Sequence, residues 1–207
     1  GTVGDHGPGR HDRFDAVNTE NGATAAEVLV GRMRRGDEQA LAEFIDLHER
    51  RVASLVGRLL DDPQDVREAT QDTFVRVWRT IDGFRGEAAV ATWVHRIAVN
   101  EALMRLRRKR HAQTSFDALT TILADHGADL PADAAVRAAR IRAVRTAIAT
   151  LPPDQRAAVA LRDLEGYTSA EAAVILGIAE PALKTRLHRG RMRLRGLLAD
   201  LAPDGEW

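Results

Sequence analysis

Cysteine is missing from all 207 residues, which excludes disulfides and thiolate zinc sites. Aromatic residues reach only 4%, too few for a β-sandwich or barrel built on aromatic-rich strands. No apolar run approaches the roughly 18 residues that a membrane helix needs, and the N-terminus lacks the basic start and apolar core of a secretory signal. These absences point to a soluble, cytoplasmic, helical protein with no membrane insertion. Net charge is absent too, because 30 Lys and Arg balance 30 Asp and Glu.

That balance hides an uneven distribution. Residues 105–110 (RLRRKR) hold five basic groups and no acid, and residues 184–195 (KTRLHRGRMRLR) hold six and no acid. Between the two runs, residues 112–136 contain Asp117, Asp125, Asp129 and Asp133 and no Lys or Arg. Two positive patches thus flank an acidic connector.

Helical periodicity dominates the remainder, and no strand signal of useful length interrupts it. Residues 1–25 are rich in Gly, Asp and Asn and are expected to be a disordered tail. From residue 26 to 111 apolar positions recur at helical spacing, with breaks at Gly36, at Asp61, Asp62 and Pro63, and across residues 83–86. Asp62 suits an N-cap and Pro63 the first position of the helix that follows. On that helix Val66, Thr70, Phe74, Val77, Trp78 and Ile81 should form one buried stripe. Residues 112–134 lose the pattern and read as a linker. Residues 135–202 regain it, with a stop at Leu151, Pro152 and Pro153. The fold class is therefore all-α: two small helical domains joined by a flexible acidic linker.

The second domain carries a helix-turn-helix pattern at residues 165–195. Thr168 and Glu171 make a capping box, and Gly177 can take the left-handed conformation that ends a helix. The next helix should have Glu180 near its N-cap and Pro181 as its first residue. Leu183, Leu187, Gly190 and Leu194 share its inner face, opposite a pole of Thr185, His188 and Met192. Lys184, Arg191 and Arg195 flank one side of that pole, and Arg186, Arg189 and Arg193 the other. No acid stands at helical spacing to pair these cations, so the helix suits a major groove: central side chains reach base edges while the flanking cations meet phosphates. His188 lacks a partner at metal-ligand spacing, so no metal is expected. A second signal lies in residues 84–110, where a Gly-bounded loop leads into a long helix with a basic end. There Asn100 falls among Trp93, Ile97 and Met104 on an otherwise apolar face.

Three stretches carry a resemblance to a known family: GDEQALAEFIDLHERRVASLVGRLLDDPQDVREATQDTFVRVWRTIDGFRG, TWVHRIAVNEALMRLRRKR, and LPPDQRAAVALRDLEGYTSAEAAVILGIAEPALKTRLHRGRMRLR. In this order, with no large domain between, they resemble the extracytoplasmic-function (ECF) sigma factors of bacterial RNA polymerase. The family departs from this chain at Pro181 and Gly190, where small residues such as Gly and Ala are usual.

The resemblance implies a task for each surface. Asp65, Gln71, Asp72 and Arg76 match the face that docks on the coiled coil of the polymerase β′ subunit. Residues 83–92, with Phe84, Arg85, Gly86, Glu87 and Ala88, match the loop that captures a flipped base of the minus-10 element. Asn100, Arg105, Arg107 and Arg108 match the contacts at the upstream edge of that element. Lys184, Thr185, Arg186, His188, Arg189, Arg191 and Arg193 lie on the helix that matches the minus-35 reader. Core RNA polymerase, through β′ and the β flap, promoter DNA and an anti-sigma factor are the implied partners, within transcription initiation and stress response. A stand-alone helix-turn-helix repressor or activator would explain residues 165–195 only. An enzyme is disfavoured, because no P-loop, HExxH or nucleophile elbow occurs, no cofactor is called for, and acids such as Glu101 lack a positioned partner. The 23 linker residues reach at most roughly 78 Å, against ~68–72 Å for two turns of DNA. The two DNA-binding helices are accordingly expected to be mechanically independent until polymerase fixes their spacing.

Overall fold

Thr24 opens the first helix through a reciprocal capping box, accepting from the Glu27 amide at 3.3 Å while the Glu27 carboxylate accepts from the Thr24 amide at 2.7 Å. This computed structural model describes residues 24–114 and 132–199, the side chains of residues 111–114 and 132–136 excepted. Residues 1–23 of the expected tail lie outside the described residues. Thr24 and Ala25 do not belong to a tail, because the Thr-x-x-Glu spacing starts a helix there.

Helix α1 (Ala25–Met33) is followed by α2 (Glu38–Leu59), α3 (Pro63–Thr80) and α4 (Val90–Thr114). Asp37 caps α2 by accepting from the Ala40 amide at 3.1 Å. The start of α3 is as expected, with Asp62 accepting from the Gln64 amide at 2.8 Å and Pro63 in the first turn. Thr70, Phe74, Val77 and Ile81 are buried from the expected stripe, with Ala69 and Thr73 beside them. Val66 and Trp78 are only half-buried against the same core. Each fully buried aliphatic or Phe side chain contributes about 1.5–3 kcal/mol, so Phe44, Leu55, Leu59 and Val77 fix how α2 and α3 meet.

Helix α5 (Ala132–Ala149), α6 (Pro153–Val159), α7 (Ser169–Leu176) and α8 (Glu180–Leu197) complete the order. A π-helical turn at Ala160–Leu164 extends α6. The linker is shorter than the sequence suggested. Helix α4 runs on to Thr114 and α5 begins at Ala132, leaving residues 115–131 between them. Ala112 and Gln113 are good helix formers with no breaker beside them, and Pro131 suits a helix start. Apolar periodicity, the signal used to bound the linker, is blind to such polar helical ends.

The two helical units are not separate bodies. Buried side chains run continuously from Val94 and Ala98 of α4 to Ala157, Leu161 and Tyr167. His95 and Tyr167, at 3% and 2% exposure, share a hydrogen bond between Nδ1 and the phenol oxygen, their rings edge-to-face at 5.9 Å. Arg156 is buried as well, donating from Nε to the Arg58 carbonyl at 3.2 Å and from both Nη atoms to Asp61 at 3.0 and 2.6 Å. An Arg58 to Glu165 ion pair flanks it. The expectation of mechanical independence therefore fails in this structure. Linker composition limits how far two units can separate, but it carries no information about the surfaces with which they meet.

Candidate nucleic-acid and polymerase interface

The helix-turn-helix forms as its local chemistry dictates. Thr168 and Glu171 cap α7 reciprocally, and Gly177 ends it at φ 62° and ψ 37°, a left-handed conformation that glycine adopts without a Cβ penalty. Helix α8 starts at Glu180 with Ala179 as N-cap, one residue earlier than expected, and Pro181 stays in its first turn. Leu183, Leu187 and Gly190 are buried and Leu194 is half-buried, while Thr185, His188 and Met192 point to solvent. Gly190 has a packing reason: a Cβ there would stand 2.9 Å from Val159 Cγ2, so α8 lies closer to α6 than any side chain would allow.

Pairing among the cations of α8 departs from expectation. Glu180 pairs with Lys184 at 2.9 Å, four residues apart, so an acid does stand at helical spacing. Asp163, on the π turn, accepts from Arg191 Nε at 3.1 Å and Nη2 at 2.5 Å, and these bonds raise the Arg191 pKa. Arg186 lies 3.6 Å from Asp154 of α6. Arg189, Arg193 and Arg195 have no ion pair among the described residues. The pole of Thr185 and His188, with Arg189 and Arg193 beside it, is thus exposed.

In the first unit, the loop before α4 is held at both ends. Phe84 is 8% exposed and packs on Trp93 with ring centroids 5.2 Å apart. Its carbonyl accepts from Arg34 Nη2, and the Ile81 carbonyl accepts from Arg34 Nε at 3.3 Å. Phe84 is therefore buried and anchors the loop, whereas the expected contacts beside it are more exposed. Arg85, Gly86 at φ +72° and Glu87 form the exposed tip, with Ala88 half-buried beside them. Arg34 was missed in the sequence, since a partner 47 to 50 residues away leaves no local signal. Asn100 is exposed; Ile97 is buried, and Trp93 and Met104 are half-buried. It stands at the margin of the apolar face and not within it.

The basic end of α4 is tied largely to α3. Arg105 contacts Glu68 at 3.0 Å and also Asp72, and Lys109 contacts Asp65 at 2.6 Å and Asp62 at 3.7 Å. Hydrogen bonding to Asp65 raises the Lys109 pKa. The Gln64 amide, followed by Lys109, lowers that of Asp62. Arg107 instead reaches Asp154 of α6 at 3.1 Å, while Arg108 is exposed with no ion pair among the described residues. Arg76 pairs with the buried Glu101 at 2.6 Å, which overturns the expectation that Glu101 has no positioned partner. Of the four side chains expected to dock on polymerase, Gln71 faces solvent, and Asp65, Asp72 and Arg76 face solvent in part while pairing with α4.

Comparison with known proteins follows this division. The family described as Sigma-70 region 2 matches residues 44–112, and Sigma-70, region 4 matches residues 141–194. The ECF RNA polymerase sigma factor SigM of Mycobacterium tuberculosis H37Rv is 36% identical over 197 residues, 93% of this chain and 89% of that protein. The ECF RNA polymerase sigma factor SigW of Bacillus subtilis 168 is 30% identical over 179 residues, 83% of this chain and 96% of that protein. Among solved structures, the sigma factor RpoE in complex with the anti-sigma factor NepR from Bartonella quintana matches with a TM-score of 0.59 and 26% identity. That match covers 76% of this chain and 95% of the other.

Proposed function

The chain belongs to the ECF sigma factors of the sigma-70 family, which direct RNA polymerase to promoters, and from that premise we propose how its surfaces divide the work. The observation that carries the reading is the exposed pole of α8, with Thr185, His188 and Arg189 outermost on a helix seated by a capped turn. That pole reads the minus-35 element in the major groove, with Lys184, Arg186, Arg191 and Arg193 meeting phosphates or base edges. Arg85, Gly86, Glu87 and Ala88 capture a base unstacked from the minus-10 element. Unstacking costs a few kcal/mol, which contacts at a loop held by Phe84 and Arg34 offset. Asn100, Arg107 and Arg108 meet the upstream edge of that element, with Arg105 exchanging α3 carboxylates for DNA phosphate. Asp65, Gln71, Asp72 and Arg76 dock on the polymerase β′ coiled coil, and the second unit meets the β flap.

This function is exercised by binding, without a reaction of the chain's own, in the cytoplasm where the polymerase works. An anti-sigma factor is proposed as the partner that withholds the chain until a stress signal arrives.

Closure of the two units bears on the same reading. Arg107 and Arg186 share Asp154 in this structure, whereas the promoter elements they serve lie about two helical turns, ~68–72 Å, apart. Both contacts cannot be made in the closed form, so polymerase binding must draw the units apart. The connector of residues 115–131 spans at most about 58 Å, and the helical units supply the remainder.

The test is co-elution of the chain with core polymerase, followed by transcription from a promoter that core alone ignores. A chain that binds promoter DNA but never core polymerase would instead be a stand-alone helix-turn-helix regulator.

A further inference from the structure

We propose that the cleft between the two units binds a short polyphosphate, either free or carried on a nucleotide. The cleft, open to solvent on one side, has a volume of about 510 Å³ between the end of α4, the Pro152 and Pro153 pair, the first turn of α6 and the face of α8. Four arginines line it, Arg107 and Arg110 from the first unit and Arg186 and Arg189 from the second, and Asp154 is the one carboxylate among the lining residues. Asp154 lies 3.1 Å from Arg107 and 3.6 Å from Arg186, so it already bridges the two units as an anion between two guanidinium groups. Arg189 has no ion pair among the described residues. Arginines therefore outnumber the one carboxylate among the lining residues, and they come from two helices.

The geometry selects the ligand. Guanidinium forks match phosphate oxygens in bidentate pairs, and several forks converging from two sides suit a chain of two or three phosphates better than a single anion. The volume lies within the usual range for small-molecule sites, roughly 300–1,000 Å³, and excludes a duplex or a folded partner. Each unit alone supplies half the guanidinium groups, so the complete site exists only in the closed form. A ligand bound there stabilises closure by mass action. This regulatory consequence rests on the promoter contacts proposed above: Arg107, Arg186 and Arg189 cannot serve the polyphosphate and the promoter at once. The site itself does not depend on them.

Calorimetric titration of the full chain, free of DNA, tests the site with inorganic tripolyphosphate, metal-free ATP, and sulfate at matched ionic strength. Tripolyphosphate should bind saturably at one per chain, at least about ten-fold tighter than sulfate. ATP binding as tightly assigns recognition to the phosphate chain, and ATP binding more tightly adds the nucleoside to the ligand. Arg110→Ala and Arg189→Ala, both on exposed helical surface, should each weaken binding by about ten-fold. The site is overturned if tripolyphosphate does not saturate, if sulfate binds equally well, or if Arg110→Ala and Arg189→Ala variants with unchanged melting temperature bind as the parent does. Failure of the promoter assignment would show elsewhere, as unaltered promoter recognition by the Arg189→Ala holoenzyme, and leaves these titrations unaffected.

Discussion

The basic runs of α4 and α8 look alike in sequence, five and six cations without an intervening acid, yet the molecule employs them differently. Arg105 and Lys109 of α4 find carboxylates on α3, 33 to 44 residues earlier, and become part of the seam between two helices. On α8 the carboxylates Glu180, Asp163 and Asp154 occupy Lys184, Arg191 and Arg186, while Arg189, Arg193 and the pole of Thr185 and His188 face solvent. A run free of acids thus says nothing about where its counter-ions come from. On either helix, whether a cation is tied down depends on whether another part of the chain presents a carboxylate to it.

Within the first unit, the buried His48 should make the chain sensitive to acid. His48 of α2 is buried against Phe44 with ring centroids 4.5 Å apart, and burial, followed by the charge of Arg51, lowers its pKa to about 4. An unfolded chain holds that ring near 6.5, so between pH 6.5 and 4 the unfolded state binds the additional proton. Stability therefore falls as pH is lowered through that window, by up to about 3 kcal/mol. The paired carboxylates Asp37, Asp62 and Glu68, whose pKa values are lowered, keep their contribution until the pH falls below the ordinary carboxylate range. Urea unfolding at pH 7 and pH 4.5 should show the loss in the parent and a much smaller loss in His48→Leu. An equal loss in both would assign acid sensitivity to another group.

Two glycines of α8 sharpen the contrast within one helix. Gly190→Ala forces a Cβ to within 2.9 Å of Val159, and such overpacking costs about 1–3 kcal/mol. At Gly196 nothing lies within 4 Å of the added Cβ, so Gly196→Ala should stabilise by up to about 1 kcal/mol through helix propensity. Chemical denaturation of the two variants gives opposite signs if the close approach of α8 to α6 is real. Matching signs would mean that the helix can slide outward at no cost.

Arginine truncations set the two basic runs against each other. Arg189→Ala should lower affinity for a minus-35 duplex by about 1–3 kcal/mol, with relaxed specificity at one position if it reads a base and uniform weakening if it meets phosphate. Melting temperature should hardly move. Arg105→Ala should cost at most about 1 kcal/mol of stability, because its pairs with Glu68 and Asp72 are solvent-accessible. Holoenzyme footprints and thermal melts of both variants check the division. Equal effects of both on DNA binding would mean that the α3 pairs dissolve on the promoter.

Local chemistry was what the sequence made legible. The cap of Asp62 and Pro63, the Thr168 and Glu171 box, the turn at Gly177 and the inner face of α8 all depend on residues within a few positions of one another. Helix order and the two-unit division followed from them. Contacts across the chain stayed hidden: Arg34 holding the loop, Arg76 on Glu101, and Arg156 on Asp61 join residues that no periodicity relates. The burial of Phe84 stayed hidden for the same reason, since it depends on Trp93 and Arg34. The packing of the two units was the largest omission. Tyr167 and Arg156 look like ordinary helix-end residues until α4 and α2 are placed against them.

The smallest expected effect on stability separates contact from positioning at the polymerase face. Asp72 is half-exposed and pairs with Arg105, and such pairs contribute roughly 0.2–1 kcal/mol and weaken with salt. Asp72→Ala should therefore barely change the melting temperature while weakening core polymerase binding measurably. Two causes predict that weakening: the carboxylate touches polymerase itself, or it holds Arg105 and thereby the line of α4 against α3. A double-mutant cycle distinguishes them, because independent effects add within about 0.3–0.5 kcal/mol. If Asp72 makes the contact, the Asp72→Ala loss persists undiminished when Arg105→Ala is already present. If it acts only by holding Arg105, the second substitution adds nothing, and the docking face narrows to Gln71 and its neighbours. Direct contact is the expected result, since the Asp72 side chain keeps 52% of its surface exposed even while paired, leaving one carboxylate edge for an incoming partner.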